Sequence, residues 1–231
     1  NTFRVIHFDF SGIDADLFTE GFVANVRDGL LDFSIRNAFP KGSEILEKRY
    51  LSPTLLLTDF LFVYKQHFKE PIYLIIDEYD QGANEVLATN FESFQNLTRS
   101  GGTLKTFYSK IKDFAAKGTI ARVFITGVTT IQLDSMTSGF SIAKNLTTDM
   151  RFATMFGFTE AELRNLIPQI IDLKKFGKTL DDVFSRMKAW YNGYSFNSDT
   201  RETVFNASMC LNYLSSVAET GKEPDDMLDP S

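Results

Sequence analysis

Two short runs of β-forming, mostly apolar residues constrain the fold of this chain more than any other feature. The first covers Ile72–Ile76 and the second Ile120–Ile125. A helix is expected before each run, ending at about residue 69 before the first and covering about 103–116 before the second, and another is expected over about 84–97 between them. Such alternation is typical of a parallel α/β sheet with helices on both faces. A third β-rich run, Phe3–Phe10, adds an earlier strand.

From about Met155 onward the pattern changes, and no further strand is expected. Thr159 and Glu162 match a helix capping box ahead of an apolar stripe, and Thr179–Asp182 opens another helix. The sequence therefore predicts an α/β core over residues 1–156 and a helical subdomain over 157–231. The acidic tail of that subdomain, after Thr220, is expected to be loose.

Composition excludes several classes of protein. The chain has 231 residues, 43% of them apolar, and a net charge of −6, which suits a folded domain rather than a disordered one. Cys210 is the only cysteine, and His7 and His67 are the only histidines, so disulfides and multi-histidine metal centres are excluded. No apolar run approaches the roughly 18 residues of a membrane span. The lone cysteine favours a reducing compartment, and we expect a cytoplasmic protein without membrane contacts.

The net charge and the start of the chain bear on what the protein binds and belongs to. A pI near 5.0 disfavours a broad nucleic-acid surface. The sequence opens at Asn1 without an initiator Met or a signal peptide, so we expect a piece of a longer protein.

The strongest chemical motif is an acidic pair, Asp77 and Glu78, at the end of the first apolar run. Ligands of open α/β sheets bind outside the carboxyl ends of the strands. There one carboxylate, Asp77, can hold Mg²⁺, and the next, Glu78, can orient and deprotonate an attacking water. This is the Walker B pattern of P-loop NTPases. The alternative is that the two acids merely open a solvated turn.

Three further residues are candidates for the same site. Thr126 ends the second apolar run and could place its hydroxyl near a γ-phosphate or its water, although a threonine often simply terminates a strand. Asp80 could support the acidic pair in cofactor binding or cap the following helix. Arg151 could face a phosphate as an arginine finger, or be an ordinary surface or capping arginine.

The sequence lacks a phosphate-binding loop of the form G-x-x-x-x-G-K-[ST]. The segment 101–106, Gly-Gly-Thr-Leu-Lys-Thr, superficially resembles one. It has no Gly-Lys pair, does not follow a predicted strand and lies after the acidic strand, so we reject it as a phosphate loop.

Several blocks of the sequence, in order, resemble the AAA-ATPase-like family. The resemblance covers nearly the whole chain. Its blocks are residues 5–11, 73–80, 107–112, 123–129, 134–140, 156–160 and 190–196. In that family a phosphate loop ending in Gly-Lys-Ser lies upstream of the first block, and a PD-(D/E)xK nuclease-like domain often lies downstream.

The resemblance implies a P-loop NTPase-like parallel sheet followed by a helical lid subdomain. By it, Asp77 is the Mg²⁺-side acid, Glu78 the water-activating acid and Thr126 the sensor residue. Binding of Mg²⁺ and ATP is then conditional on a phosphate loop supplied upstream of Asn1. Nucleic acid is expected as a partner only through an appended or partner effector domain.

Three hypotheses of function remain open at this point. The first is the ATPase core of a larger protein, in which Mg-ATP drives a conformational or regulatory step. The second is a nucleotide-independent interaction module, a P-loop fold without its cradle. The third is an organiser of an appended nuclease domain.

Overall fold

A computed structural model describes residues 2–129, 144–196 and 202–228 of the chain. It divides into two compact units, Asn1–Ala143 and Lys144–Ser231. Each unit is described by itself.

The first unit is built on a three-stranded parallel sheet. Its strands are β1 (Arg4–Asp9), β2 (Ile72–Asp77) and β3 (Ile120–Ile125), in the order β1-β2-β3. The predicted parallel α/β sheet is therefore confirmed.

The structure describes six helices in this unit, and a side chain caps the N-terminus of two of them. Ser52 caps one of them by accepting a hydrogen bond from the Leu55 amide (3.4 Å), and Pro53 stands in its first turn. The helices are α1 (Phe18–Arg36), α2 (Pro40–Leu46), α3 (Pro53–His67), α4 (Gln81–Thr89), α5 (Phe91–Thr98) and α6 (Thr103–Ala116).

The single helix expected over about 84–97 is wrong. Asn90 adopts an extended backbone between α4 and α5, and its side chain accepts from the Ser93 amide (2.9 Å). An asparagine favours such a cap over a helix interior because its side chain competes for backbone hydrogen bonds.

One face of the sheet carries the core. Its residues alternate along the strands and are almost fully buried or packed against the buried cluster: Ile6, Phe8, Ile72, Leu74, Ile76, Val123 and Ile125. The opposite face is only partly buried, with His7 and Arg122 exposed. Helices were expected to bury both faces of the sheet. Among the described residues, only one face is buried.

The outer edge of β1 is covered by α1. The Arg4 amide donates to the Pro71 carbonyl (3.1 Å), so the even residues of β1 bond β2 and the odd residues face outward. At that outer edge the Asn25 side chain, on α1, donates to the Asp9 carbonyl (2.9 Å).

The outer edge of β3 differs. The Thr126 amide donates to the Ile76 carbonyl (2.9 Å), which continues the ladder and turns the even residues of β3 toward β2. The backbone groups of Val123 and Ile125 therefore point away from β2. Within the described part of the chain, β3 pairs with β2 alone.

The second unit is mainly helical, with a core of its own that includes Leu163, Val183, Met187 and Tyr213. A 3₁₀ turn at Met150–Phe152 comes first. The remaining elements are α7 (Glu160–Ile170), α8 (Leu173–Phe176), α9 (Leu180–Tyr191), β4 (Asn192–Tyr194), β5 (Val204–Phe205) and α10 (Ala207–Thr220).

The antiparallel pair β4–β5 corrects the expectation that strands disappear after Met155. Phe158 pairs with the other edge of β5 by exchanging backbone hydrogen bonds with Phe205 (3.1 and 2.8 Å). These strands have two and three residues, too few for a periodic signal in the sequence.

The residues after α10 contact the second unit closely. Glu223 binds Lys178 (2.6 Å), Arg186 (3.1 Å) and Tyr213 (3.1 Å). Among the described helices, none combines the length and apolar character needed to cross a membrane.

Candidate functional site

Polar side chains meet at the carboxyl ends of the three parallel strands. Asp9 stands opposite Asp77 in the sheet register, and Thr126 extends β3 beside Asp77. Because side chains alternate along a strand, all three project from the face that the core helices do not fill. The strand ends thus bring together two acids and a hydroxyl that lie far apart in the sequence.

Asp77 is the centre of this arrangement. Its Oδ1 accepts the hydroxyl hydrogen bond of Thr126 and the amide of Glu78 (3.0 Å). Both donors use Oδ1, so among the described residues Oδ2 is left for other ligands. Its backbone carbonyl accepts from the Phe10 amide (3.1 Å), which ties the strand end to β1.

Glu78 has an unusual backbone. Its φ is +51°, in the left-handed region that non-glycine residues seldom adopt. Burial raises the pKa of the Glu78 carboxyl, and the neighbouring Asp77, Asp80 and Asp9 carboxylates raise that pKa further. Strain and a raised pKa at one residue are typical of groups held for chemistry.

Asp80 is fully buried, with 0% of its surface exposed. It occupies the N-cap position of α4 but makes no side-chain cap bond there. Its carboxylate instead accepts from the Val128 amide (3.1 Å), from the Thr129 amide (2.6 Å) and hydroxyl (2.7 Å), and from Asn84 (3.0 Å). Burial opposes ionisation of Asp80, but these hydrogen bonds outweigh it and hold its pKa below the ordinary value.

Arg151 lies in the second unit. Its guanidinium binds Asp149 through two hydrogen bonds (2.7 and 3.0 Å) and lies over the Phe152 ring, 5.5 Å from the centroid. The pairing raises the pKa of Arg151 and holds the pKa of Asp149 far below its usual range. A role for Arg151 toward phosphate stays a prediction.

The glycine pair Gly101–Gly102 joins two helices. Gly101 has a φ of +83°, and Gly102 precedes α6 directly after the turn that ends α5. A phosphate loop follows a strand, whereas this segment follows helix α5 and leads into α6. Its geometry therefore differs from that of a phosphate loop.

Sequence reasoning missed three residues of the site: Asp9, Asn84 and Thr129. Asp9 carried a usable signal, because it ends a predicted strand as Asp77 does. Its carboxylate accepts from the Ser11 amide (2.9 Å), and this bond lowers the pKa of Asp9. Asn84 and Thr129 carried none, since their role depends on a contact between distant segments.

The carboxylate oxygens at the strand ends are hard ligands, the kind that suits Mg²⁺. Mg²⁺ is usually bound by one or two carboxylates and completes its shell with waters and phosphate oxygens. Asp77 supplies a hard oxygen ligand of that kind through Oδ2, since both described donors to its carboxylate use Oδ1. Within the described residues, no group of three or more His, Cys, Asp or Glu side chains forms a metal site.

Comparison with known proteins identifies one family. The model of the AAA-ATPase-like family, whose description is a predicted AAA-ATPase, matches residues 1–137, which is more than half of the chain. Neither a curated protein nor a solved structure matches the chain.

Proposed function

The chain belongs to the AAA-ATPase-like family, and on that premise we propose that it binds and hydrolyses Mg-ATP as the core of a larger protein. Hydrolysis would drive a conformational or regulatory step. The observation that carries the proposal is the junction of Asp77, Glu78 and Thr126 at the carboxyl ends of β2 and β3. Ligands of parallel sheets bind at those ends.

Asp77 is the proposed magnesium ligand. Its Oδ1 is held by Thr126 and the Glu78 amide, so the carboxylate is oriented before any ligand binds. Its Oδ2 is the oxygen that would face the ion. When bound, Mg²⁺ neutralises charge on the phosphate oxygens.

Glu78 is the proposed general base. A carboxylate whose pKa is raised is a better proton acceptor, and a base is most efficient when its pKa is close to the working pH. Burial and three nearby carboxylates raise the pKa of Glu78 in this way. The left-handed backbone at Glu78 directs the residue out of the strand's regular alternation.

Thr126 is the proposed sensor. Its hydroxyl donates to Asp77 in the described structure. A hydroxyl can rotate, so the same group could donate instead to a γ-phosphate oxygen or accept from the attacking water. The position of Thr126 would then report which phosphate is present.

The phosphate loop would be supplied at the outer edge of β3. Backbone groups of Val123 and Ile125 face that edge, and the edge of β1 is already covered by α1. A parallel strand added there, from an upstream segment or another chain, would carry its loop to the Asp77 end of the sheet. The structure describes no strand partner at this edge, which supports the location because an unpaired strand edge is a template for pairing.

The remaining roles follow the same scheme. Arg151 is proposed to contact phosphate, and the helical region, residues 157–231, to act as a lid that excludes water from bound nucleotide. Asp80 is proposed to support the acidic pair of the nucleotide site from its buried position. An appended or partner domain would receive the conformational change, and nucleic acid would be reached only through it.

A thermal shift of the intact protein tests the proposal. Saturating Mg-ATP at about 100 times its dissociation constant should add about 2.7 kcal/mol of stability, which raises the melting temperature by several degrees. Asp77→Asn should lose most of this shift, and Asp113→Asn, an exposed acid on α6, should keep it. The absence of any shift in the wild-type intact protein would instead favour the nucleotide-independent interaction module.

A further inference from the structure

We infer that Asp80 is a positioning residue that locks the end of β3, and with it the Thr126 hydroxyl, onto the Asp77 carboxylate. The geometric part of this inference stands alone. Its consequence for catalysis rests on the proposed ATPase function.

The lock is formed by hydrogen bonds between two segments that are far apart in the sequence. Asp80 belongs to the turn after β2, and its partners Val128 and Thr129 follow β3. Three of its bonds reach that second segment, and both carboxylate oxygens take part: Oδ1 accepts from Val128, and Oδ2 accepts from Thr129 and Asn84. Bonds to a charged, buried acceptor are stronger than neutral ones.

Packing around the carboxylate is equally close. A Cβ added to Gly127 would lie 2.3 Å from Asp80 Oδ1 and 2.4 Å from the Tyr79 ring. The Tyr79 hydroxyl also donates to the Thr129 carbonyl. Only a residue without a side chain fits at position 127, so the segment 127–129 is held against Tyr79 and Asp80 on one side.

The lock acts directly on the proposed sensor. Thr126 immediately precedes the locked segment, its carbonyl accepts from the Tyr79 amide (3.2 Å), and its hydroxyl donates to Asp77. On its other edge β3 has no described strand partner. Among the described residues, the end of β3 is held by β2 and by the turn after β2, and Asp80 is the most buried contact of that turn.

This role differs from the two that the sequence suggested for Asp80. A helix cap would bond the first amides of α4, and the carboxylate makes no such bond. A nucleotide or metal ligand would need a carboxylate oxygen directed to solvent, whereas Asp80 is 0% exposed. Asp80 is thus expected to act through Thr126 rather than by touching nucleotide.

Amide hydrogen exchange of the nucleotide-free chain tests the geometric part. In Asp80→Asn, exchange at Val128 and Thr129 should accelerate at least tenfold relative to the sheet amide of Leu74. Thr129→Val keeps the shape of the side chain and the backbone amide but removes the hydroxyl donor to Asp80. Exchange of the amide at position 129 should accelerate in this variant, by a smaller factor than in Asp80→Asn. Unchanged exchange at Val128 and Thr129 in Asp80→Asn overturns the inference.

Steady-state kinetics of the intact protein tests the catalytic part. A positioning role predicts that Asp80→Asn and Thr129→Val both lower kcat at least tenfold, while KM for Mg-ATP changes less than threefold. Thr89→Val, on the exposed end of α4, should change neither. A large rise in KM in Asp80→Asn with a normal Thr129→Val would make Asp80 a ligand and overturn the inference. If the wild-type protein neither binds nor hydrolyses ATP, the proposed function fails, and the exchange result still decides the lock.

Discussion

The helix starts of the second unit have the local structure that their sequences favour, whereas the strand end at residues 77–80 of the first unit does not. In the second unit Thr159 and Thr179 form complete capping boxes, and Asn206 caps α10. In the first unit Asp80 occupies a cap position without capping, and Glu78 adopts a left-handed backbone.

This contrast supports the proposed site at the end of β2. Local preferences and tertiary structure agree where a segment only has to fold, and they conflict where residues are held for another purpose. The positive-φ residues described in the second unit are all glycine. In the first unit two non-glycine residues have a positive φ, Ala38 and Glu78, and Glu78 is the one that lies at the end of the central strand, beside the buried Asp80.

The largest expected effect comes from neutralising the buried carboxylate. Asp80→Asn removes charge and acceptor capacity from a site with several donors, which should cost about 2–3 kcal/mol of unfolding free energy. Asp182→Asn alters an exposed capping-box carboxylate and should cost about 1 kcal/mol or less. Native-state hydrogen exchange measures each unit separately. If both variants lose the same unfolding free energy, the strand end of the first unit and the helix starts of the second unit do not differ as described.

Asp80→Asn should also change how the free energy of unfolding depends on pH. The pKa of Asp80 is lowered in the folded chain, so its stabilising contribution is present above its unfolded pKa of about 3.9 and is lost as pH falls through the lower folded value. The difference between wild type and Asp80→Asn should therefore be constant near neutral pH and shrink below about pH 4. If the difference in unfolding free energy grows as the pH falls, the pKa of Asp80 is raised rather than lowered by folding.

An intermediate effect is expected at Gly127. Gly127→Ala forces a Cβ against Asp80 and the Tyr79 ring, and should cost about 2 kcal/mol. Gly177→Ala, at the left-handed end of α8, meets nothing within 4 Å and should cost about 1 kcal/mol from backbone strain alone. The unfolding free energies of the two variants can be compared by chemical denaturation, with hydrogen exchange at core amides as the readout. If Gly127→Ala is as stable as wild type, residue 127 is not closely packed against Asp80 and Tyr79.

The smallest effect is a gain in stability. Glu78 and Ala38 are the two non-glycine residues described with positive φ, at +51° and +47°. Replacing either with glycine should stabilise the chain by roughly 1 kcal/mol, because glycine tolerates this backbone conformation. Only Glu78→Gly should also abolish the proposed ATP hydrolysis. A Glu78→Gly variant that is less stable would show that the backbone there is not strained.

Much of the fold could be predicted from the sequence because its signals are local. The apolar runs predicted strands β2 and β3. Because parallel strands have their carboxyl ends on the same side of a sheet, Asp77, Glu78 and Thr126 were expected to lie close together there. The same rule would have found Asp9, had it been applied to β1.

The remaining features depend on contacts that no local pattern records. The break at Asn90 competes with a good helical stripe, and the pair β4–β5 is too short to show alternation. The partners of Asp80 lie about fifty residues further along the chain, so a sequence motif ending in Asp80 could only suggest that it matters.

Single-turnover hydrolysis of Mg-ATP by the intact Glu78→Gln protein tests the central claim most directly. Loss of a general base should slow hydrolysis by about 10²-fold or more, while the variant still binds Mg-ATP. Glu85→Gln, an exposed glutamate on α4, should hydrolyse at the wild-type rate. If Glu78→Gln turns over as fast as wild type, the acidic pair at the end of β2 is not the catalytic site, and the account is contradicted.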